Sequence, residues 1–129
     1  MTQNGQAGSG HSVLLVEDED SVRKLARISL EGAGYSVTEA PDGETACELL
    51  GSAPQIDLLV TDLTMPGIGG RELALQVRAG RPEIGVVFIS GYATDIGRLD
   101  SIPRAVFLAK PFAPGDIVRA SAKAIDRAE

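Results

Sequence analysis

The sequence has no tryptophan, one cysteine and one histidine in 129 residues, with three phenylalanines and two tyrosines. A lone Cys47 excludes an intrachain disulfide and any Cys-based zinc site. Basic residues are also scarce: 12 Lys and Arg stand against 18 Asp and Glu, for a net charge of -6. That balance argues against a nucleic-acid-binding surface, which needs clustered Lys and Arg. No apolar run approaches the length needed to span a bilayer, and the N-terminus lacks the core of a signal peptide. The expectation is a cytoplasmic domain that makes no membrane contact of its own.

What is present suits one ordinary globular domain. Hydrophobic residues make up 43% and charged residues 23%, and the length supports one real core but not two. Residues 1–11 are mostly Gly, Ser, Gln and Asn, with almost nothing to bury, and read as a disordered leader or linker. Residues 12–127 read as the folded unit.

Hydrophobic periodicity divides that unit into alternating strands and helices. Residues 12–16 form a short apolar strand. A helical period follows from Ser21, with Val22, Leu25, Ala26, Ser29 and Ala33 predicted on its buried face, Asp20 or Ser21 as N-cap and Gly34 as C-cap. Residues 35–40 alternate, which suits an edge strand. Asp42 is placed to N-cap a helix reaching about Leu50, whose buried stripe is Ala46, Cys47, Leu49 and Leu50. Leu58, Leu59 and Val60 make a fully apolar strand that ends at Asp62, and Pro66 and Gly67 break the chain after it. A third helix spans residues 71–79, and residues 85–89 are another apolar strand ending at Ser90. The segment 93–103 is ambiguous, because Gly97 and Pro103 leave no room for a long helix, and a short or irregular one is expected. Residues 105–108 form the last strand, and Pro114 opens a final helix with Ile117, Ala120, Ala124 and Ile125 facing inward. Five strands alternating with helices imply a parallel α/β sheet, doubly wound, in the flavodoxin-like order 2-1-3-4-5 with helices on both faces.

In a parallel sheet the strand ends share one edge, so residues remote in sequence converge there. The first strand delivers Glu17 and Asp18, the third Asp62, the fourth Ser90 and the fifth Lys110. Three crowded carboxylates repel, and a hard divalent cation with oxygen ligands relieves the repulsion. Mg²⁺ fits, because it takes few carboxylates and engages phosphate. A metal on one side and a lysine on the other is an arrangement for phosphoryl transfer, with the central carboxylate as nucleophile.

At these residues the chain resembles a response-regulator receiver domain of bacterial two-component signalling, with a CheY-like fold. The matching runs are Val16-Glu17-Asp18-Glu19, Thr61-Asp62-Leu63-Thr64-Met65-Pro66, Ser90-Gly91-Tyr92-Ala93 and Leu108-Ala109-Lys110-Pro111-Phe112. The resemblance implies that Asp62 is the phosphoacceptor. It implies that Asp18 binds Mg²⁺ directly, that Glu17 acts mostly through a metal-bound water, and that the Thr64 carbonyl is a backbone ligand. Lys110 would pair with the acceptor carboxylate or its phosphoryl group, before a cis peptide bond to Pro111. Ser90 and Phe107 would be the switch residues that move on phosphorylation. The donor would be a phosphohistidine on a histidine kinase or a histidine phosphotransfer protein; His11, in the leader, is no substitute. The downstream partner is unknown. Such a domain is a regulator that catalyses its own phosphoryl uptake and loss and turns over no metabolite. No output domain follows the last helix, so the expectation is a single-domain regulator or the receiver of a hybrid sensor kinase. The run Phe88-Ile89-Ser90-Gly91-Tyr92-Ala93 favours the hybrid kinases.

Blander readings compete at each position. An acidic run such as residues 17–20 is usually solvated or caps a helix, and Tyr92 and Phe107 are packing residues before they are chemical groups. Gly67-Ile68-Gly69-Gly70 imitates a dinucleotide loop but lacks the acidic ribose ligand. An Mg²⁺-dependent phosphohydrolase using an aspartyl-phosphate needs a second aspartate two residues after the nucleophile, where this chain has Thr64. A receiver-like binding module that is never phosphorylated is the remaining alternative, and the intact acidic set speaks against it.

Overall fold

A computed structural model describes residues 10–52, 55–91 and 102–128 of the chain. Its elements are β1 (Ser12–Val16), α1 (Asp20–Gly32), β2 (Ser36–Ala40), α2 (Gly43–Ser52), β3 (Leu58–Asp62), α3 (Gly70–Gly80), β4 (Gly85–Ser90), β5 (Ala105–Ala109) and α4 (Pro114–Ala128). The five strands form one parallel sheet in the order β2-β1-β3-β4-β5. The predicted topology is therefore the observed one, with β2 at an edge. Expectations for residues 1–9, for Tyr92 and for most of the segment 93–103 lie outside the described residues.

Strand side chains alternate between the two faces, and two cores result. Val13, Leu15, Leu58, Val60, Val87 and Ile89 pack on one face beneath α1 and α4, through Ala26, Leu30, Ile117 and Ala124. Leu14, Val16, Leu59, Val86 and Phe88 pack on the other beneath α2 and α3, through Ala46, Leu73, Ala74 and Val77. All of β3 and β4 is buried, which is why both read as unbroken apolar runs.

Two helix ends follow the predicted local chemistry. Asp42 caps α2 by accepting from the Thr45 amide at 2.7 Å; hydrogen bonds from the Thr45 hydroxyl and amide hold its carboxyl below the usual range. At the end of α1 the C-cap is Ala33 rather than Gly34, and Gly34, one residue later, has a positive φ of 98°. Its N–H reaches the Glu31 carbonyl while the Tyr35 N–H reaches that of Leu30, both at about 3 Å, a Schellman pair that glycine makes possible.

Three local expectations need correction. The N-cap of α1 is Glu19, not Asp20 or Ser21, and no side chain caps it. The buried face of α1 runs through Ala26 and Leu30, whereas Leu25 is 38% exposed. The face is rotated because α1 packs against both the sheet and α4, and that second partner selects Leu30. In α2, Ala46 is buried, but Cys47, Leu49 and Leu50 are half-buried at the margin of the core. The Cys47 thiol donates to Gln76 Oε1 of α3 at 3.3 Å.

Candidate functional site at the carboxyl edge of the sheet

Each site residue is placed by the end of a strand. The ladder of β1 closes at Val16, opposite Ala40 and Thr61, and Glu17 and Asp18 follow at once. Asp62 is the last residue of β3 and pairs with Ile89. Beyond it, the Leu63 N–H still binds the Ile89 carbonyl at 2.9 Å, and the Gly70 N–H closes the loop onto the Leu63 carbonyl at 3.0 Å. Ser90 ends β4 opposite Ala109, and its carbonyl takes the Lys110 N–H at 2.9 Å. The Lys110-Pro111 peptide is cis.

The carboxylates converge as the strand order requires. One oxygen from each of Glu17, Asp18 and Asp62 lies within 4.8 Å of the others; Glu17 and Asp62 are buried and Asp18 is exposed. The Lys110 ammonium stands 3.0 Å from Asp62 Oδ2 and 3.2 Å from Glu17 Oε1. Asp62 Oδ1 accepts the Thr64 N–H at 3.4 Å, and Glu17 Oε2 accepts the Glu19 N–H at 3.0 Å. An open cleft of about 580 Å³, lined by Asp18, Glu19, Asp62, Thr64, Gly91 and Lys110, gives solvent access to this cluster. Phe107 lies farther along the sheet, half-buried and stacked on Phe88 with ring centroids 6.0 Å apart.

The electrostatics of the cluster are unbalanced. Burial pushes the Glu17 carboxyl up to about 7, with the negative charge of Asp62 acting in the same direction; the Glu19 amide and Lys110 oppose them. Burial alone would pull Lys110 down, but the hydrogen bond to Asp62 and the charge of Glu17 raise it above its ordinary value. Three carboxylates face one ammonium. Glu17 Oε1 is buried beside that ammonium without an aligned hydrogen bond. An all-oxygen cluster with surplus negative charge and an under-satisfied buried oxygen fits a hard divalent cation such as Mg²⁺.

Sequence matching agrees with this geometry. Residues 13–122 match the response regulator receiver domain family. The chain belongs to that family. It is 40% identical over 108 residues to the response regulator receiver protein CpdR of Brucella abortus, covering 82% of this chain and 89% of CpdR. It is 39% identical over 104 residues to the sensor kinase CckA of the same organism, covering 78% of this chain and 11% of the kinase. The crystal structure of the receiver domain from hybrid histidine kinase CckA superposes with a TM-score of 0.72 at 36% identity, over 92% of this chain and 99% of that one. Receivers of this family are typically phosphoacceptor regulators rather than enzymes, their acidic clusters are typical Mg²⁺ sites, and two-component membership implies a histidine kinase as partner. Among the described residues, no helix is long and apolar enough to cross a membrane.

The sequence reading missed two residues at this site. Arg23 lies off the predicted buried face of α1, yet its guanidinium folds back onto the Glu17 carbonyl at 2.8 Å. Gly70 immediately precedes the predicted third helix, and a Cβ there would run into the Asp62 backbone carbonyl. The arginine one turn beyond an acidic run was a usable signal for the first. The second depends on a close approach that no local pattern reports.

Proposed function

We propose that this domain is a phosphorylation-activated switch that accepts a phosphoryl group on Asp62 from a phosphohistidine of a histidine kinase or phosphotransfer protein. The receiver unit is residues 12–127, preceded by a leader or linker in residues 1–11. The observation that carries this reading is the convergence of Glu17, Asp18, Asp62 and Lys110 at one edge of the sheet.

In the transfer, an Asp62 carboxylate oxygen forms a bond to phosphorus as the phosphorus–nitrogen bond of the donor breaks. The bonding pair returns to the imidazole, which takes up a proton. Lys110 holds Asp62 in place and meets the negative charge that spreads over the phosphoryl oxygens. The Thr64 N–H steadies the other Asp62 oxygen. Asp18, Asp62 and the Thr64 carbonyl would hold Mg²⁺, with Glu17 acting through water, and the ion would supply charge neutralisation at the phosphoryl group. Ser90, at the end of β4, and Phe107, stacked on Phe88, are the residues proposed to change position in the phosphorylated state. The product is a shifted conformational population that alters a partner's affinity.

Intact-mass spectrometry after incubation with acetyl phosphate tests this directly. Wild type gains one phosphoryl group when Mg²⁺ is present and none in EDTA, and Asp62→Asn gains none. A wild type that binds no Mg²⁺ and takes up no phosphoryl group contradicts the reading and leaves a passive binding module.

A further inference from the structure

Arg23 sits in the first turn of α1, and its side chain is 18% exposed. Its guanidinium points in three directions. One terminal nitrogen donates to the Glu17 carbonyl at 2.8 Å, the other to Asp20 Oδ1 at 2.8 Å, and Nε to Glu39 Oε1 at 3.3 Å. Glu39 belongs to the edge strand β2 and is held on its other oxygen by Arg27 Nε at 3.1 Å. The Glu17 carbonyl lies one residue past the last paired position of β1; the Glu17 N–H still reaches the Ala40 carbonyl at 3.1 Å. Beyond that bond, the sheet no longer orients the chain. The carbonyl that Arg23 takes belongs to the Glu17–Asp18 peptide, the one that joins two of the three clustered carboxylates. A planar peptide held at its oxygen fixes the directions in which both flanking residues leave it.

We infer that Arg23 is a positioning residue for the cation site: it clamps the Glu17–Asp18 peptide to α1 and to β2, and so aims the two carboxylates at Asp62. This rests on the reading of the cluster as an Mg²⁺ site. The planar fork of a guanidinium can serve a carbonyl and two carboxylates at once, which a lysine ammonium on a flexible stem does less well.

A clamp and a bare charge at Arg23 have effects of opposite sign on Mg²⁺ binding. A positive charge near a cation site repels the cation, so removing it should tighten Mg²⁺ binding if charge were its sole contribution. Loss of a clamp behind the ligands weakens binding, typically by about tenfold or more. Calorimetric titration with Mg²⁺, together with thermal melts, separates the two. Arg23→Gln should weaken Mg²⁺ binding about tenfold, and Arg23→Lys should weaken it too despite the retained charge. Arg27→Gln removes an equal charge from the same Glu39 without touching the Glu17 carbonyl, and it should leave binding unchanged or slightly tighter. Arg23→Gln that melts as a folded protein and binds Mg²⁺ as tightly as wild type, or more tightly, overturns the inference while leaving the Mg²⁺ site intact. A wild type that binds no Mg²⁺ overturns the reading of the site itself, and the inference with it.

Discussion

In the metal-free protein, Glu17 should cost stability at neutral pH. Its side chain is fully buried. Burial, reinforced by Asp62, raises its carboxyl from 4.5 to about 7. The folded chain therefore binds this proton more tightly than the unfolded chain does. Stability from this group is fully present below the unfolded value of 4.5 and is lost as pH rises from there to about 7. Each pH unit across that interval is worth about 1.4 kcal/mol, so the loss approaches about 3 kcal/mol. Glu17→Gln keeps the shape and removes the charge. Urea denaturation in EDTA, followed by circular dichroism, should find the variant more stable than wild type by up to about 3 kcal/mol at about pH 8.5, and the two equal near pH 4.5. Adding Mg²⁺ at the higher pH should stabilise wild type more than the variant, since a ligand that binds the folded state alone adds to its stability. A variant less stable than wild type at high pH, or a difference constant across the range, would mean that the buried Glu17 carboxyl does not titrate upward in the folded chain.

Other perturbations test the remaining parts. Lys110→Ala removes the ammonium that contacts both Asp62 and Glu17. It should tighten Mg²⁺ binding by about tenfold or more, as loss of a unit charge a few ångströms away implies, while slowing phosphoryl uptake; calorimetry and mass spectrometry read the two effects separately. Gly70→Ala forces a Cβ into the Asp62 backbone carbonyl. Because that neighbour is backbone and cannot rotate away, the variant should lose both thermal stability and phosphoryl uptake, whereas Gly51→Ala, which meets nothing within 4 Å, should keep both. Leu30→Ala empties a fully buried position between α1, α4 and the sheet and should cost about 2–5 kcal/mol in chemical denaturation. Leu25→Ala, at a 38% exposed position, should cost far less.

Much of the fold was legible because its strongest signals are local and repeated. The unbroken apolar runs ending at Asp62 and Ser90 belong to strands buried on both faces, and the alternating residues 35–40 belong to an edge. Parallel pairing then places every strand's carboxyl end on one side, which is enough to bring Glu17, Asp18, Asp62 and Lys110 together without coordinates. What stayed hidden depended on tertiary partners. Leu25 and Leu30 differ little in pattern, and the packing of α4 against α1 decides which is buried. The cap of α1 is Glu19 because its carbonyl already takes the Arg23 N–H at 2.9 Å, one turn earlier than a side-chain cap at Asp20 or Ser21 would begin the helix. Arg23 reads as a solvated helix charge until its side chain is seen to fold back across the first turn. The tight approach of Gly70 to Asp62 likewise belongs to the loop's shape and not to its composition.

Transfer of a phosphoryl group from nitrogen to the Asp62 carboxylate can be followed directly. Phosphoramidate, whose phosphorus–nitrogen bond stands in for a phosphohistidine, can serve as donor in the presence of Mg²⁺. Borohydride reduces the resulting aspartyl phosphate to the alcohol, and peptide sequencing in the mass spectrometer then marks the phosphorylated carboxylate. Homoserine should appear at position 62, and none there when Mg²⁺ is withheld. Label at Glu17 or Asp18, or no label in a protein shown to bind Mg²⁺, would contradict transfer to Asp62.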